Sequence, residues 1–319
     1  MSLPLWPTAN PSLSLDFGFA VHDVCIVGVG PAGLNAALIL GRCGRDVLVV
    51  DSGRPRNGVS PALHGFLSRD GTPPLELREL GRAELGNYPT ITLRQNVEVH
   101  DVRRHDRHFE IFAADGTRWE ARKLLLATGR IDLIPRKPGF REHYGLGVYH
   151  CPYCDCWEHR DQTLAAYASG TAGFDLAIDL LIWTRKVTLC TDGPRGLSEE
   201  QRTKLEANGV TILESPVDGL RGGRRTIAAV VFEDQSELPC DAVFFCSDCV
   251  QKSPFAQHLG CQLDETGSVM CDEHAATAVP GLYVAGNVRR GVRLAIVAAA
   301  EGAEAGMAIN NALHDESLR

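Results

Sequence analysis

Two short motifs in this chain could carry out one reaction together. The first is a Cys-x-x-Cys pair, Cys151 and Cys154, which can cycle between a dithiol and a disulfide. The second is a glycine-rich pattern of the kind that holds a dinucleotide pyrophosphate at a strand-to-helix turn, and it consists of Gly28, Gly30 and Gly33. In this order along the chain, the two motifs predict a flavin that exchanges electrons with a disulfide.

The elements around the glycines fit this interpretation. An apolar strand, an Ala- and Leu-rich helix and a second buried strand are predicted at residues 23–28, 31–43 and 46–50. Strand, helix and strand make the βαβ unit of a doubly wound sheet. The pyrophosphate is expected at the helix N-terminus, beside Pro31 and Ala32, where backbone N–H groups lack partners. Asp51 follows the second strand, and its carboxylate can accept hydrogen bonds from ribose hydroxyls.

The remaining sequence continues to alternate strands and helices. A hairpin is predicted around Asp115 and Gly116, followed by a buried strand at 123–129. A second unit of strand, helix and strand is predicted at 163–169, 170–184 and 186–191. Two short strands at 230–232 and 242–246 would complete a small sheet. The other predicted elements are a helix at 198–208, an extended segment at 210–213, a strand at 281–286 and a helix at 292–314. The two βαβ starts predict a mixed α/β protein with two nucleotide-binding, Rossmann-like folds.

Composition and charge argue against several classes of function. The 319 residues are 44% apolar and 23% charged, as in ordinary globular proteins, and the net charge of −8 argues against a nucleic-acid partner. No apolar run approaches the length that crosses a bilayer, and residues 1–21 lack the basic and apolar regions of a secretory signal. The cysteines are odd in number and mostly lie in apolar runs, which favours a cytoplasmic protein with free buried thiols.

Four segments, in a fixed order, resemble the low-molecular-weight thioredoxin reductases over nearly the whole chain. They are GVGPAG at the first turn, ATG ending in Thr128 and Gly129, the Cys-x-x-Cys-Asp segment ending in Asp155, and GLYVAGN before an alanine-rich helix. The resemblance implies FAD in the first domain, a homodimer, and a redox disulfide on a second domain inserted into the first. The expected division is an N-terminal arm at 1–21, an FAD-binding domain at 22–133 and 251–319, and an inserted redox-disulfide domain at 134–250.

The same resemblance assigns residues to the cofactor. The first turn and the acid after the second strand would hold the ADP half of FAD, namely Gly28, Gly30, Pro31, Ala32, Gly33 and Asp51. Thr128 and Gly129 would pass close to the cofactor, and Gly286 and Asn287 would face its ribityl and pyrophosphate region. Arg293 would match a family arginine at the start of the helix whose N-terminus approaches the isoalloxazine ring, and Leu294 and Ala295 follow it as cofactor-binding residues. Asn287 replaces the family's usual Asp and keeps its hydrogen bonding without the charge, and Leu294 stands where many relatives have Gln.

For the dithiol, the resemblance implies two different roles. Cys154 would be the inner sulfur that reaches the flavin as a thiolate, and Cys151 would be the interchange thiol that meets the substrate. Asp155 would move protons during this exchange. Cys156 stands where the family has glycine, and it is interpreted as a bystander, with a third redox thiol as the alternative.

Other interpretations of the cysteines stay open. His150, His159 and the nearby cysteines supply enough ligands for zinc, but they lack the paired spacing of structural zinc sites, so no metal is assigned. A purely structural disulfide is another alternative. A further Cys-x-x-Cys, Cys246 and Cys249, could be a relay pair or half of a metal site, although a strand cysteine followed by a loop cysteine is favoured.

The second βαβ unit departs from the family's pattern for binding NADPH. Its turn, at residues 168–173, lacks the first glycine, and the strand that follows leads into Asp192 instead of a basic pair. Because Asp192 would repel a 2′-phosphate, NADPH is not the expected donor. Three alternatives are open: NADH with Asp192 on its ribose, a second flavin or an empty pocket with ferredoxin as donor, or electron flow in the reverse direction.

The leading hypothesis is therefore an FAD-dependent thiol–disulfide oxidoreductase that reduces a thioredoxin-like protein with electrons from ferredoxin or another donor. The second hypothesis is a dithiol oxidase that forms a disulfide in a small molecule and passes the electrons to oxygen. A non-catalytic flavin redox sensor is the third.

Overall fold

The computed structural model describes residues 21–246 and 248–318 as a mixed α/β fold, which confirms the predicted class. The predicted arm at 1–21 lies outside the described residues except for Val21, the first residue of a strand. The strands are β1 (Val21–Val27), β2 (Val47–Asp51), β3 (Ile91–Gln95), β4 (Val99–Arg104), β5 (Phe109–Ala113), β6 (Arg118–Leu126), β7 (Arg130–Asp132), β8 (Val148–Tyr149), β9 (Leu164–Tyr167), β10 (Val187–Cys190), β11 (Thr211–Leu213), β12 (Val217–Gly222), β13 (Ile227–Phe232), β14 (Glu237–Pro239), β15 (Ala242–Phe245), β16 (Cys249–Gln251) and β17 (Leu282–Val284). The helices are α1 (Pro31–Arg42), α2 (Pro74–Leu85), α3 (Pro152–Asp155), α4 (Gly170–Leu180), α5 (Glu199–Ala207), α6 (Phe255–His258) and α7 (Ala295–Ser317).

The larger sheet brings the beginning and the end of the chain together. Its order is β3-β2-β1-β6-β5-β4, and β17 pairs in parallel with the C-terminal part of β6. Strands β1, β2, β3 and β6 are parallel, as expected where a helix crosses over between strands. The antiparallel pairing of β5 with β6 confirms the hairpin predicted around Asp115 and Gly116. The carboxyl ends of β1, β6 and β17 therefore meet at one edge of the sheet.

Helices α1 and α7 pack tightly together on one face of this sheet. Their buried side chains share a core with β1 and β2 that includes Leu40 and Ile309. A Cβ added to Gly302 of α7 would lie 2.0 Å from the Ala32 carbonyl oxygen, so only glycine allows this approach. The contact places the first turns of α7 beside the N-terminus of α1. The helix predicted from 292 begins at Ala295 because the preceding Leu294 has an extended backbone.

A second parallel sheet has the order β11-β10-β9-β15-β8, and α4 and α5 pack against one of its faces. Strands β12, β13 and β14 form a separate antiparallel sheet, whose apolar side chains pack against the opposite face. The prediction that residues 230–232 and 242–246 complete one small sheet is therefore wrong. The chain reverses at Gln235, which has a φ of 66°, and so β13 pairs with β14, whereas β15 pairs with β9.

A two-stranded ribbon marks where the chain enters and leaves the second sheet. In this ribbon β7 pairs antiparallel with β16, and the strands of the second parallel sheet all lie between them in sequence. The predicted boundaries at 133/134 and 250/251 fall at this ribbon, and the division into domains remains a prediction. Among the described residues, no helix is both long and apolar enough to cross a membrane.

Candidate active site

The glycine-rich turn between β1 and α1 forms one wall of a large cleft. Gly28 has a φ of 111°, and a Cβ there would lie 2.3 Å from the Ala127 carbonyl oxygen. A Cβ on Gly33 would lie 1.9 Å from the Gly28 carbonyl oxygen, so this glycine allows α1 to pack closely on β1. By contrast, among the described residues other than Gly30 and its two chain neighbours, no heavy atom lies within 4 Å of the position that a Cβ on Gly30 would occupy. Gly30 therefore leaves an open surface on which a ligand can approach the backbone.

The N-terminus of α1 opens toward the same cleft. Gly30 is the N-cap residue, no side chain caps the helix, and Pro31 occupies its first turn. The first backbone N–H groups of a helix have no partner within the helix, and the helix dipole favours an anion there. The turn therefore suits a diphosphate group.

Asp51 lies on the cleft, and two arginines of α2 hold its carboxylate. Oδ2 accepts hydrogen bonds from Arg78 at 2.5 Å and from Arg82 at 2.7 Å, and Oδ1 accepts one from the Gly53 N–H at 3.1 Å. A carboxylate oxygen has two lone pairs, so Oδ1 can still accept from a ribose hydroxyl. Sequence reasoning missed both arginines because they lie 27 and 31 residues after Asp51, and only the packing of α2 brings them there.

Two charged residues, Glu301 and Arg130, shape the segment after β17. The carboxylate of Glu301 accepts a hydrogen bond from the Gly286 N–H at 2.8 Å, and the Arg130 guanidinium donates to the Asn287 carbonyl oxygen at 2.9 Å. The Gly286 N–H is thereby satisfied within the protein. Arg130 is only 1% exposed and also donates to Ser268 at 2.7 Å. Nothing in the local sequence marks Glu301 or Arg130 as a contact of this segment.

The dithiol reaches the cleft from the second parallel sheet. Cys151 and Cys154 are joined as a disulfide at α3, which follows β8 after two residues, His150 and Cys151. Cys154 and Asp155 line the cleft, together with the glycine-rich turn, whereas Cys151 is not part of its lining. The two cysteines therefore differ in position, and Cys154 is the one on the same cleft as the glycine-rich turn.

Asp155 is a carboxylic acid with an unusual titration range. Burial, and to a smaller extent the neighbouring Glu158 carboxylate, raises its pKa to about 7, while His64 opposes this shift. A side chain that titrates near neutral pH, beside a redox disulfide, can both give and accept protons.

The cleft as a whole fits a dinucleotide cofactor. Its volume is about 460 Å³, and small-molecule and cofactor sites typically span about 300–1,000 Å³. All the predicted cofactor residues except Gly33 line it, including Thr128, Gly129, Arg293, Leu294 and Ala295. Gly33 instead packs beneath the turn. The cleft is also lined by Lys252, which sequence reasoning did not select. The open glycine surface, the uncapped helix and the paired acid are the features that suit the ADP half of FAD.

The remaining cysteines differ from the disulfide pair. Cys156 is fully buried, and burial raises its pKa to about 12, so it is a neutral thiol at physiological pH. Cys246 donates to the Ala172 carbonyl oxygen, and Cys249 accepts from Arg130 at 3.2 Å. In residues 21–246 and 248–318, no three histidine, cysteine, aspartate or glutamate side chains are grouped so that they could hold a metal.

In the second nucleotide fold, the chain's own backbone covers the turn. The Gly170 N–H at the start of α4 donates to the Arg195 carbonyl oxygen at 3.0 Å, and Gln201 donates to the Thr171 hydroxyl at 3.3 Å. A Cβ added to Gly196 would lie 3.3 Å from the Gly170 Cα. The segment after β10 thus lies over the helix N-terminus where a pyrophosphate would bind.

The Asp192 carboxylate accepts hydrogen bonds from other residues of this second fold. Its Oδ1 accepts from the Val217 N–H at 2.8 Å and from Lys137 at 3.2 Å, and its Oδ2 accepts from the Tyr167 hydroxyl at 2.9 Å. Burial alone would raise the pKa of Asp192, but these hydrogen bonds outweigh it and hold the pKa below its ordinary value. The carboxylate therefore stays ionised at neutral pH, and its negative charge disfavours the 2′-phosphate of NADPH at this position.

A dinucleotide cleft that faces a Cys-x-x-Cys disulfide defines an enzyme of the disulfide oxidoreductase class. The sequence family described as pyridine nucleotide-disulphide oxidoreductase matches residues 22–302, and the chain belongs to that family. Its homologues are thioredoxin reductase-like, and membership implies binding of FAD.

Individual relatives agree with this assignment. A probable thioredoxin reductase of Arthroderma benhamiae is 37% identical over 149 residues, which is 45% of this chain and only 37% of that relative. Thioredoxin reductase tcpT of Claviceps purpurea is 29% identical, with 84% of this chain and 86% of the relative covered. The crystal structure of the putative thioredoxin reductase TrxB from Bacillus anthracis has a TM-score of 0.89 and 30% identity, and the match covers 93% of this chain and 99% of the other.

Proposed function

We propose that this protein is an FAD-dependent thiol–disulfide oxidoreductase that passes electrons between flavin and the Cys151–Cys154 pair, and onward to a thioredoxin-like protein. The observation that carries the proposal is that Cys154 and Asp155 line the same cleft as the glycine-rich turn. A cytoplasmic location and a homodimer remain predictions from the sequence.

The two cysteines divide the work by position. FAD, when bound, supplies a two-electron couple for the Cys151–Cys154 pair. In the reduced protein, the Cys151 thiolate attacks a sulfur of the partner's disulfide, which forms a mixed disulfide and releases one partner thiolate. The Cys154 thiolate then attacks Cys151, which closes the Cys151–Cys154 disulfide and releases the second partner thiolate. Two electrons thus leave the dithiol, and the partner takes up two protons.

The pH dependence of this exchange should report Asp155. Below pH 7 the raised pKa leaves Asp155 mostly protonated and able to donate, and above pH 7 it is mostly ionised and able to accept. We expect flavin reduction by a dithiol, which releases protons, to rise through pH 7 in the wild type. Asp155→Asn should lose this rise of the rate with pH. Its rate of flavin reduction should also be about 100-fold lower, which is the lower range for general acid–base catalysis. Stopped-flow flavin absorption between pH 5.5 and 8.5 measures both.

The matched control for that experiment is Asp161→Asn, the same change at an exposed carboxylate. It should keep the wild-type rate and pH profile. If the rate of flavin reduction in Asp155→Asn still rose through pH 7, another group would be responsible for that rise. The proton role assigned to Asp155 would then be wrong.

The electron donor is proposed to be something other than NADPH, with ferredoxin as the leading candidate. The covered turn at Gly170 and the ionised carboxylate of Asp192 support this part of the proposal. We expect neither NADPH nor NADH to bleach the flavin within minutes under anaerobic conditions, whereas a dithiol should reduce it fully. Rapid bleaching by either nucleotide would show that the second fold opens and accepts it.

The same observations favour one second candidate, a dithiol oxidase that forms a disulfide in a small molecule and reduces oxygen. It too needs no nicotinamide nucleotide. The two candidates differ in steady state: an oxidase produces peroxide continuously from small dithiols in air, whereas a reductase does so slowly and instead turns over a thioredoxin-like disulfide with reduced ferredoxin. A protein that completes a single round and sustains neither flux would instead be a redox sensor.

A further inference from the structure

Four polar side chains form a connected cluster next to the disulfide, and the proposed chemistry uses none of them. Arg56 lies between β2 and α2, Asp132 ends β7, Tyr144 precedes β8, and His150 stands directly before Cys151. Three of them, Arg56, Tyr144 and His150, line the cofactor cleft. Their placement on separate segments makes the cluster a junction between the larger sheet and the disulfide segment.

Arg56 lies at the centre of this cluster. Its guanidinium donates to both oxygens of Asp132, at 2.7 and 2.5 Å, and its Nη2 also lies 2.8 Å from His150 Nε2. The Tyr144 hydroxyl lies 2.8 Å from Asp132 Oδ2 and 2.9 Å from His150 Nδ1. The four side chains therefore close a ring of hydrogen bonds, and Arg56 supplies three of its contacts.

The donors and acceptors in this ring are consistent only with a neutral His150. A guanidinium can only donate hydrogen bonds, so His150 Nε2 must accept from Arg56. The single N–H proton of the imidazole must then be on Nδ1. That proton is then donated to the Tyr144 oxygen, whose own hydroxyl proton is donated to Asp132. Burial, together with the positive charges of Arg56 and Arg293, lowers the pKa of His150 to about 4 despite Asp132. His150 thus acts as an acceptor at neutral pH, and its lone pair is already occupied.

The Arg56–Asp132 ion pair within this ring of hydrogen bonds is well shielded from solvent. The side chain of Asp132 is 3% exposed and that of Arg56 is 18% exposed. Burial alone would raise the pKa of Asp132, but the hydrogen bonds and charge of Arg56 outweigh it. A two-point contact between guanidinium and carboxylate fixes direction as well as distance, so the third contact, to His150, has a defined position.

We propose that Arg56 is a positioning residue that holds the Cys151–Cys154 segment against the cofactor cleft by bonding Asp132 and His150 at the same time. The inference rests on the proposed function, because it concerns the transfer of electrons between that disulfide and the flavin. Arg56 touches neither sulfur in this role. It sets where Cys154 lies, and a displacement of about 1 Å can cost about 100-fold in a reaction rate.

The test compares Arg56→Met with the wild type and with Arg107→Met, the same change at an exposed arginine between β4 and β5. In anaerobic stopped flow, dithiothreitol should reduce the flavin of Arg56→Met about 10- to 100-fold more slowly than that of the wild type. The dithiothreitol concentration that gives half of the maximal rate should be unchanged. Rates are compared on the FAD-loaded fraction of each variant, and the reaction of its reduced Cys151 with an aromatic disulfide reagent should match the wild type. Arg56→Lys keeps the positive charge but cannot make the two-point contact with the Asp132 carboxylate, so it should recover only part of the rate.

A second variant protects the test against misfolding. His150→Phe removes the acceptor while leaving the Arg56–Asp132 pair, and it should show the same slow transfer. Wild-type transfer rates in either folded variant would overturn the inference and leave the proposed function intact. If the wild type itself transferred no electrons from dithiol to flavin, the proposed function would fail, and this inference with it.

Discussion

Replacing Cys154 with serine should reduce the rate of flavin reduction by a dithiol to that of free flavin, while FAD stays bound. Cys154 is the member of the disulfide that lines the cleft, and serine cannot form the thiolate or the disulfide that the exchange requires. The side chains differ by one atom, so the fold and the cleft should be unchanged. The measurement is anaerobic flavin absorption after mixing with excess dithiothreitol, together with FAD content per chain.

The control for this prediction is Cys156→Ala, which removes a neighbouring thiol that is fully buried and uncharged at neutral pH. It should reduce its flavin at the wild-type rate, although the small cavity costs some stability. If Cys156→Ala were inactive and Cys154→Ser active, the assignment of the inner sulfur would be wrong. Full turnover in Cys154→Ser would exclude the Cys151–Cys154 pair as the redox centre.

The second large effect separates two glycines of the same turn. Gly33→Ala places a Cβ 1.9 Å from the Gly28 carbonyl oxygen, so α1 must move away from β1. Overpacking of a closed site typically costs about 1–3 kcal/mol, and contact with rigid backbone places this change at the upper end, about 3 kcal/mol of unfolding free energy. Denaturant unfolding of the FAD-free protein measures it.

Gly30→Val should have the opposite profile. Gly30 has a φ of −84° and a ψ of −177°, which valine adopts readily, and open space surrounds its Cβ position. The unfolding free energy should stay near that of the wild type. The side chain would, however, stand between a diphosphate and the backbone N–H groups, and losing one hydrogen bond to a charged group costs about 1.5–3 kcal/mol, or about 10- to 100-fold in FAD affinity. Equal effects on stability and affinity in both variants would contradict this division of roles.

The cleft was largely predictable because its elements are local. A short apolar strand, a glycine-rich turn and a helix of small residues specify one another within about 20 residues, as in other nucleotide-binding folds. The predicted α1 and β2 therefore match the observed Pro31–Arg42 and Val47–Asp51. The error at residues 230–246 came from distance: the local pattern predicts two strands there, but which sheet each joins depends on partners far along the chain.

The residues that sequence reasoning missed share one physical property. Arg78, Glu301 and Arg56 are charged groups on segments with no motif, and each acts through a partner far away in the chain, at separations of 27, 15 and 94 residues. A charge on a helix or loop is ordinarily a solvated surface group, so its type and spacing carry no information about a buried partner. Only packing can remove such a group from water and aim it at one acceptor.

The sequence by itself determined the chemistry: a pair of thiols that can cycle, an acid beside them, and a turn that permits a diphosphate, because these depend on residue type and short spacing. The tertiary structure decided which cysteine lines the cofactor cleft and raised the pKa of Asp155 to about 7 by burial. It also placed the Asp192 carboxylate in hydrogen bonds within the second fold. The physical reason is that burial and hydrogen-bond partners are set by segments that meet only when both sheets have formed. The dithiol can react wherever it lies, but folding places it at the cofactor cleft.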